Sequence, residues 1–186
     1  MSPRALRTRA RILDVALDLF ERDGYDATTT AQVATAAGVT PMTLFRHYPT
    51  KAALLVSDPY DPLIAEAVGG QPGALTPLER TCRGMLAALA GMEPVEDATA
   101  RRRVAVLAGE PSLRAVVAAG TATTEQAIVD RLVADGADLF DARVAAAACL
   151  AAATAAILLL PETGGTLAGA VTRALEQLDA SRAVAS

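Results

Sequence analysis

The 186-residue chain has few of the side chains that carry catalysis and metal binding. It contains no tryptophan, two cysteines and a single histidine, His47. These residues do not have the spacing of a metal site, and no nucleophile motif or phosphate-binding glycine loop occurs. We therefore expect a protein that is not an enzyme and that has no catalytic residue, no cofactor and no metal ion.

Aromatic residues are also scarce, at 3% of the chain, whereas alanine is abundant. Strands favour β-branched and aromatic side chains, and alanine is the best helix former. Hydrophobic residues make up 52% of the chain, which is enough to bury a core. The length allows one medium domain or a small domain joined to a larger one. The composition predicts an all-α protein.

No apolar run clearly reaches the length of a membrane span. The longest, residues 144–160, has 17 residues and is interrupted only by Thr154. A membrane helix needs about 20 residues, and more than half of this run is alanine, which gives little transfer energy. We interpret it as a buried helix, and Cys82 and Cys149 as small buried thiols. No signal peptide is recognised, so we expect a cytoplasmic protein, associated with the nucleoid, without a membrane partner.

An overall positive charge is absent too, because the net charge is −4, which by itself argues against nucleic acid. The charges are unevenly distributed, however. Residues 1–51 hold seven basic and five acidic side chains, a balance of +2 that leaves −6 for the rest of the chain. Four arginines, Arg4 and Arg7 among them, precede the first acidic residue. This basic arm places a phosphate-binding surface at one end of the molecule, although it can also be read as a solvated helix face.

Residues up to 37 have the pattern of one long and one short helix. Apolar residues recur at helical spacing and predict a first helix from about residue 4 to Asp23, capped by Gly24. The threonines at 28–30 then offer a cap for a second helix over about 30–37. Such a pair places a short helix directly after a longer one on which it can pack.

A third helix follows a glycine turn. Gly38-Val39 makes the turn, Thr40 caps the helix, and Pro41 occupies its first position, where the lost amide costs nothing. Pro49 ends the helix near Tyr48. Two short helices joined by a glycine turn and packed on a longer helix form a helix-turn-helix DNA-binding module.

The stretch 29–55, TTAQVATAAGVTPMTLFRHYPTKAALL, resembles the TetR/AcrR (tetracycline-repressor-like) regulators. The alanine-glycine-valine turn, the threonine-leucine-aromatic-arginine-histidine-aromatic helix and the lysine that opens the next helix all occur at the family's spacing. The resemblance implies a DNA-binding domain over residues 1–55 and a helical effector-binding and dimerisation domain over residues 56–186. It also implies a dimeric repressor that a small hydrophobic or acyl-CoA-like effector releases from a palindromic operator, with activation left open.

The resemblance further implies roles for residues of the DNA-binding domain. Bases or thymine methyl groups are contacted from the positions of Pro41, Met42, Thr43 and Phe45, and phosphates from those of Thr30, Thr40, His47 and Lys51. Gln32 can reach a base edge, and Arg4, Arg7 and Arg46 add positive charge. Many relatives have tyrosine in place of Phe45, so a hydroxyl-to-phosphate bond is lost here. For His47 a phosphate contact or a capping role is favoured over a catalytic base, and Leu44 and Tyr48 are assigned to the core.

Beyond Leu55 the sequence predicts a helical body that is entered through a broken connector. Two prolines at 57–62 remove amides, so we expect a helix to about Ser57 and a restart at Asp61. Further helices are expected over about 76–90, 97–108, 112–134 with an interruption near Gly120, 141–160 and 166–180, which makes about nine in all. The proline segment and the arginines at 101–103 are similar to a family branch described as binding acyl-CoA-like ligands.

The body is expected to hold an effector pocket with apolar walls. Met85, Leu89, Met92 and Leu107 are the candidates, because methionine adapts to loosely specified ligands, although all four can be ordinary core residues. Arg103 is a candidate for a ligand carboxylate or phosphate. The alternative is that the arginines at 101–103 form a solvated helix face.

The last two helices are expected to form the interface of a homodimer. The candidates are Leu158, Leu160, Leu167, Val171, Leu175 and Leu178. Alternatively, the helix over 141–160 is the centre of the protomer's own core. A two-fold dimer reads two half-sites, so the expected partner is roughly palindromic double-stranded DNA.

The sequence is also compatible with two other functions. A ligand-independent repressor or an architectural DNA-binding protein would share every feature of residues 1–55. A membrane-associated protein would rest on residues 141–160 alone. A solvent-filled pocket in the body favours a ligand-responsive regulator over the first of these.

Overall fold

The computed structural model of the chain describes residues 3–56, 61–90 and 94–183. Its eleven α-helices within these ranges are α1 (Pro3–Asp23), α2 (Thr30–Ala36), α3 (Pro41–His47), α4 (Ala53–Val56), α5 (Asp61–Gly69), α6 (Pro77–Ala90), α7 (Pro94–Gly109), α8 (Arg114–Ala134), α9 (Leu139–Leu158), α10 (Leu160–Thr163) and α11 (Leu167–Ala183). A 3-10 turn, Pro111–Leu113, precedes α8. The described ranges contain no strand, so the predicted all-α fold is confirmed. We refer to α1–α4 as the head and to α5–α11 as the body.

The helix count exceeds the expected nine because two expected helices are divided. The connector contributes α4 and α5, and the expected break between them falls at residues 57–60, outside the described residues. The helix expected over 141–160 divides into α9 and α10 because Pro161 has no amide to donate to the carbonyl of Ile157. α8, by contrast, continues through Gly120 without the expected interruption.

Threonine caps start both short helices of the head. Thr29 Oγ1 accepts a hydrogen bond from the Gln32 amide at 3.2 Å, and Gln32 Oε1 accepts one from the Thr29 amide at 2.7 Å, which makes a reciprocal capping box for α2. Thr40 Oγ1 accepts from the Thr43 amide at 3.2 Å at the start of α3. Gly38, between the two helices, has a φ of 62°, which glycine adopts without steric cost.

The core of the head continues into the body. Its buried side chains include Ile12, Leu17, Phe20, Val33, Leu44, Tyr48, Leu54 and Leu55. Leu113, from the 3-10 turn of the body, is buried in the same core, and Leu107 and Val116 pack against its edge. The head thus packs against α7 and α8. A domain boundary at residue 55 stays a prediction.

The body is built around α9, which packs against α6, α8 and α11. Cys149 of α9 faces Cys82 of α6 in the core with a Sγ–Sγ distance of 3.5 Å, so the expectation of two buried thiols is confirmed. Their hydrogen bond and their burial raise the pKa of Cys149. Among the described residues, α9 is the one helix whose length and composition would allow it to cross a membrane. It contacts three neighbouring helices, but only 33% of its apolar window is buried, so the expectation of a buried helix holds for one face only.

An ion pair closes the end of the body where α5, α6 and α8 meet. The buried Arg80 donates through Nη2 to the Asp135 carboxylate and lies 3.4 Å from the Val68 carbonyl oxygen. Arg131 Nε donates to the same carboxylate at 3.1 Å. Arg80 and then Arg131 lower the pKa of Asp135, so the carboxylate stays charged and holds α8 to α6.

Gly84 sets the close approach of α6 to α5, and Gly84→Ala is expected to destabilise the protein by about 1–3 kcal/mol. A methyl group there would lie 2.6 Å from the Cα and the amide nitrogen of Val68, which are backbone atoms that cannot rotate away. Gly120→Ala is the matched control, because a methyl group in the middle of α8 meets nothing within 4 Å. Gly120→Ala is expected to raise the free energy of unfolding by about 0.5–1 kcal/mol, because alanine has a higher helix propensity than glycine. Urea unfolding measures both, and changes of the same sign would contradict the proposed packing constraint.

The residues expected in a dimer interface largely face the inside of the protomer. Leu160, Leu167, Val171 and Leu175 are all buried. Leu158 is half-buried, and the half-buried Leu178 packs against the core of the body. This corrects the expectation for the four buried residues. The apolar stripe of α11 is covered by α9 and α6 of its own protomer and needs no second copy to cover it.

Candidate functional site

Helix α3 carries an exposed surface opposite its buried face. Met42 is 77% exposed and Phe45 44% exposed, and Arg46 is also exposed. Leu44 and Tyr48, on the opposite face, are buried in the core of the head as expected. Exposed apolar side chains can contact the methyl groups of thymine bases, and a cation beside them can contact a base edge or a phosphate.

Arg9 of α1 holds the end of α3 in place. Its Nη1 donates to the His47 carbonyl at 3.1 Å, and its guanidinium carbon lies 4.6 Å from the centre of the Tyr48 ring. The Tyr48 hydroxyl donates in return to the Arg9 carbonyl at 3.2 Å. Sequence reasoning missed this role because Arg9 and His47 are 38 positions apart.

A basic groove of about 600 Å³ lies between the amino end of α1 and α3. Its lining brings together five of the residues expected to bind DNA, which are Arg4, Thr40, Thr43, Arg46 and His47. Thr8 and Arg11 line it too, although the sequence did not single them out, and no acidic side chain is part of the described lining. Arg7 is exposed on the same helix but does not line the groove, and Pro41 is exposed at the start of α3. Two of the four arginines of the arm, Arg4 and Arg11, therefore lie beside α3.

Two other expected DNA contacts belong to the local structure of α2. Gln32 Oε1 accepts hydrogen bonds from the amide and the hydroxyl of Thr29, at 2.7 and 2.8 Å, so this oxygen serves the helix cap. The side-chain NH₂ of Gln32 is not part of the cap and can still donate to a base edge. Thr30 is the first residue of α2 and is half-buried.

Lys51 is bound within the head. Its Nζ donates to the carbonyl oxygens of Tyr25 at 2.7 Å and Thr28 at 3.0 Å, and lies 4.0 Å from the centre of the Tyr25 ring. These contacts tie the start of α4 to the loop between α1 and α2. A Lys51→Ala variant would disturb this loop as well as any phosphate contact, so it is a poor probe of DNA binding.

The single histidine makes a pH test specific, and the affinity for DNA is expected to rise as the pH falls from 8 to 6. Burial first, and then the charges of Arg46 and Arg9, lower the pKa of His47, so the free protein holds a neutral imidazole at pH 7. A phosphate beside His47 would raise its pKa in the complex. Protons are then taken up on binding, which strengthens binding by at most about tenfold per pH unit and per head. Fluorescence anisotropy of labelled DNA at several pH values measures this affinity. If a His47→Gln variant keeps the same pH dependence, His47 does not contact the DNA.

An apolar cavity of about 210 Å³ lies where α4 meets the body. Four of the five expected effector contacts line it, namely Met85, Leu89, Arg103 and Leu107, whereas Met92 lies outside the described residues. The rest of the wall comes mainly from α4, α8, α9 and α11 and is largely aliphatic. Arg103 is the one charged side chain in the described lining.

Arg102, next in sequence to the cavity-lining arginine, joins the body to the head. It forms ion pairs with Asp14, Asp18 and Glu21 of α1 at 2.6–3.0 Å. The hydrogen bond to Glu21 is the main cause that raises the pKa of Arg102. One arginine thus connects three carboxylates that lie on one face of α1.

The two flanking arginines contact other parts of the molecule. Arg103 donates through Nε and Nη2 to the Leu55 carbonyl oxygen, at 2.9 and 2.6 Å. Arg101 Nη1 donates to the Gly165 carbonyl at 3.4 Å, in the loop before α11. Arg102 and Arg103 are therefore half-buried connections between elements, whereas Arg101 is exposed, as the solvated-face alternative expects.

A helix-turn-helix head with a basic groove, joined to a helical body with an apolar cavity, defines a helix-turn-helix DNA-binding regulator. Residues 12–57 match the family model described as "Bacterial regulatory proteins, tetR family", and residues 75–183 match the one described as "MftR C-terminal domain". The chain belongs to the TetR family of bacterial regulatory proteins, as its resemblance in sequence predicts.

Curated relatives match over part of their length. The chain is 37% identical over 75 residues to the HTH-type transcriptional regulator TcmR of Streptomyces glaucescens, which is 39% of this chain and 33% of that protein. It is 44% identical over 48 residues to the uncharacterized HTH-type transcriptional regulator YvkB of Bacillus subtilis (strain 168), which is 26% of this chain and 25% of that protein. The chain thus matches a third or less of the length of these relatives.

Solved structures share the fold of the whole molecule. The SmeT–triclosan complex has a TM-score of 0.59 and 20% identity, and the match covers 94% of this chain and 91% of that one. A TetR-family regulator from Rhodococcus sp. has a TM-score of 0.56 and 21% identity, with 93% and 97% covered. Salmonella enterica GusR has a TM-score of 0.51 and 24% identity, with 96% and 97% covered. At these identities the likeness concerns the fold alone.

Proposed function

We propose that this protein is a dimeric transcriptional repressor of the cytoplasm that leaves a palindromic operator when its body binds a small hydrophobic effector. The observation that carries the DNA-binding part is the basic groove beside α3. Arg4, Arg11 and Arg46 supply cations without a nearby acid in the lining, and Met42 and Phe45 are exposed next to them. Phosphates fit the groove, and base edges fit the exposed face of α3.

A homodimer is supported by the outer face of α9 and α11. Phe140 is 74% exposed, Val144 and Leu159 are each 51% exposed, and Ala151 and Ala155 are exposed between them at helical spacing. Beside this stripe an open groove of about 540 Å³ runs between α9 and α11, and its lining includes several alanines and glycines. An apolar stripe bordered by small residues allows the close approach of a second copy. This surface takes the place of the buried leucines expected from the sequence.

An effector is supported by the cavity at the junction of head and body. SmeT, which shares the fold, was solved with triclosan, a bound small molecule. An acyl-CoA-like effector is the other class that the sequence suggests. Any effector acts by preferring one arrangement of the two heads, and it shifts DNA binding only by that difference in affinity. A thermal-shift screen of hydrophobic drugs and acyl-CoAs tests this part, and a body that no compound stabilises would favour a ligand-independent repressor.

A gel shift with the DNA upstream of the gene and its neighbours tests the DNA-binding part. The unaltered protein should bind with a strong dependence on salt, because counterions are released from phosphates. Thr43→Arg places a bulky side chain at the groove and should abolish binding without loss of helicity. Equal binding by both proteins would contradict the placement of the interface on α3.

A further inference from the structure

We propose that the cavity binds a hydrophobic carboxylate and that Arg103 takes its carboxylate group. This inference rests on the proposed function, since it names the ligand class of the effector site. Aliphatic side chains such as Leu89, Leu107, Leu150 and Ile157 line the cavity and suit an apolar ligand body. The described lining holds one cation, Arg103, and no acidic side chain. An anion is the ligand group that this charge favours.

The guanidinium edge of Arg103 has the geometry that a carboxylate requires. Nε and Nη2 both donate to one oxygen, the Leu55 carbonyl, at 2.9 and 2.6 Å. These two nitrogens form the side edge of the guanidinium, whose parallel N–H groups match the two oxygens of a carboxylate. A carboxylate offers two anionic oxygens, one to each of these N–H groups, whereas the Leu55 carbonyl offers both of them a single neutral oxygen. A carboxylate in the cavity therefore competes with the Leu55 carbonyl for this edge.

Moving Arg103 from the Leu55 carbonyl to a ligand carboxylate breaks a contact between the body and the head. Leu55 lies in α4, and its side chain is buried in the core of the head. When Arg103 leaves the Leu55 carbonyl, α4 loses a connection to α7. Arg102, the residue before Arg103 in α7, forms ion pairs with three carboxylates of α1. A shift of α7 therefore also acts on α1, the helix that supports α3. The ligand thereby favours an arrangement of the head that differs from the one with Arg103 bound to Leu55.

A free carboxylate is chemically distinct from its alcohol and its thioester. The alcohol of the same chain length can contact the same aliphatic wall but offers Arg103 a single neutral oxygen. An acyl-CoA has no carboxylate at the end of its acyl chain, and its phosphates lie at the far end of a long linker. Comparison of these three forms isolates the interaction with Arg103 from the burial of the apolar body.

Isothermal titration calorimetry on the full chain without DNA tests the proposal. The probes are octanoate, decanoate and 4-phenylbutyrate, the corresponding alcohols, and decanoyl-CoA. At least one carboxylate should bind about tenfold or more tightly than its alcohol. Arg103→Gln should bring the affinities for the carboxylate and its alcohol to within about twofold of each other, whereas Arg103→Lys should keep only part of the preference. Arg101→Gln removes a neighbouring arginine outside the cavity lining and, as the matched control, should keep the preference.

Equal binding of carboxylates and alcohols by the unaltered protein overturns the proposal, and this comparison needs no variant to fold. Tighter binding of decanoyl-CoA than of decanoate overturns it as well. The gel shift with upstream DNA separates this result from the proposed function. If the protein binds the DNA, the carboxylate should weaken that binding in the unaltered protein and not in Arg103→Gln. DNA binding that the bound carboxylate leaves unchanged would overturn the coupling through Leu55.

Discussion

Arg46→Glu is expected to lower the affinity for the proposed operator about 100-fold, because a charged hydrogen bond is lost from each head of the proposed dimer. Arg46 lines the basic groove with Arg4 and Arg11, so glutamate there replaces attraction for a phosphate by repulsion. The slope of log affinity against log salt should become shallower by about one unit per head. Fluorescence anisotropy of labelled operator at several potassium chloride concentrations measures both quantities.

Arg22→Glu is the matched control for net charge. Arg22 lies in the last turn of α1, where it pairs with Asp23 at 2.7 Å, and it does not line the basic groove. The variant should bind the operator nearly as well as the unaltered protein, because exposed charges beyond about 10 Å are screened at 0.1 M salt. An equal loss of affinity in both variants would mean that net charge, and not the groove, governs binding.

Ala155→Glu is expected to convert the proposed dimer to monomers and thereby to remove most of the affinity for the proposed operator. Ala155 is exposed in the protomer, in the apolar stripe between Val144 and Leu159, so the fold of the protomer should change by only about 0.5 kcal/mol or less. In a dimer the same carboxylate would be buried without a partner, and that costs several kcal/mol by desolvation. Sedimentation equilibrium gives the oligomeric state, and circular dichroism verifies that the helices persist.

Ala87→Glu makes the same substitution on α6, at an exposed position that belongs to neither α9 nor α11. This variant should remain dimeric and bind the operator like the unaltered protein. A dimeric Ala155→Glu protein would contradict the proposed interface. A monomeric Ala87→Glu protein would show that any added charge, wherever it lies, has the same effect.

The predictions that succeeded concern interactions between residues close together in the chain. The cap at Thr40, the proline after it and the turn at Gly38 depend on neighbours within about four positions. Local rules of this kind predict α3 and its buried face from the sequence alone.

The predictions that needed revision concern partners that are distant in the chain. Lys51 matches a phosphate-contacting position, yet its ammonium binds carbonyls of a loop more than 20 positions away. Arg102 looked like part of a solvated face, yet it pairs with acids of α1 that are 81 to 88 positions away. The charge of a side chain is evident from the sequence, but its partner is decided by which helices pack together.

The sequence by itself determined the all-α class, the family, and the face of α3 that is exposed, because caps, turns and a clear apolar stripe encode them. Only the tertiary structure decided which side of α9 lies in the core. That helix is alanine-rich and apolar on nearly every side, so its own pattern does not distinguish a buried face from an exposed one. Packing against α6, α8 and α11 buries Ala146 and Cys149 and leaves Phe140, Val144 and Ala155 exposed. The surface proposed for the dimer follows from that choice of neighbours.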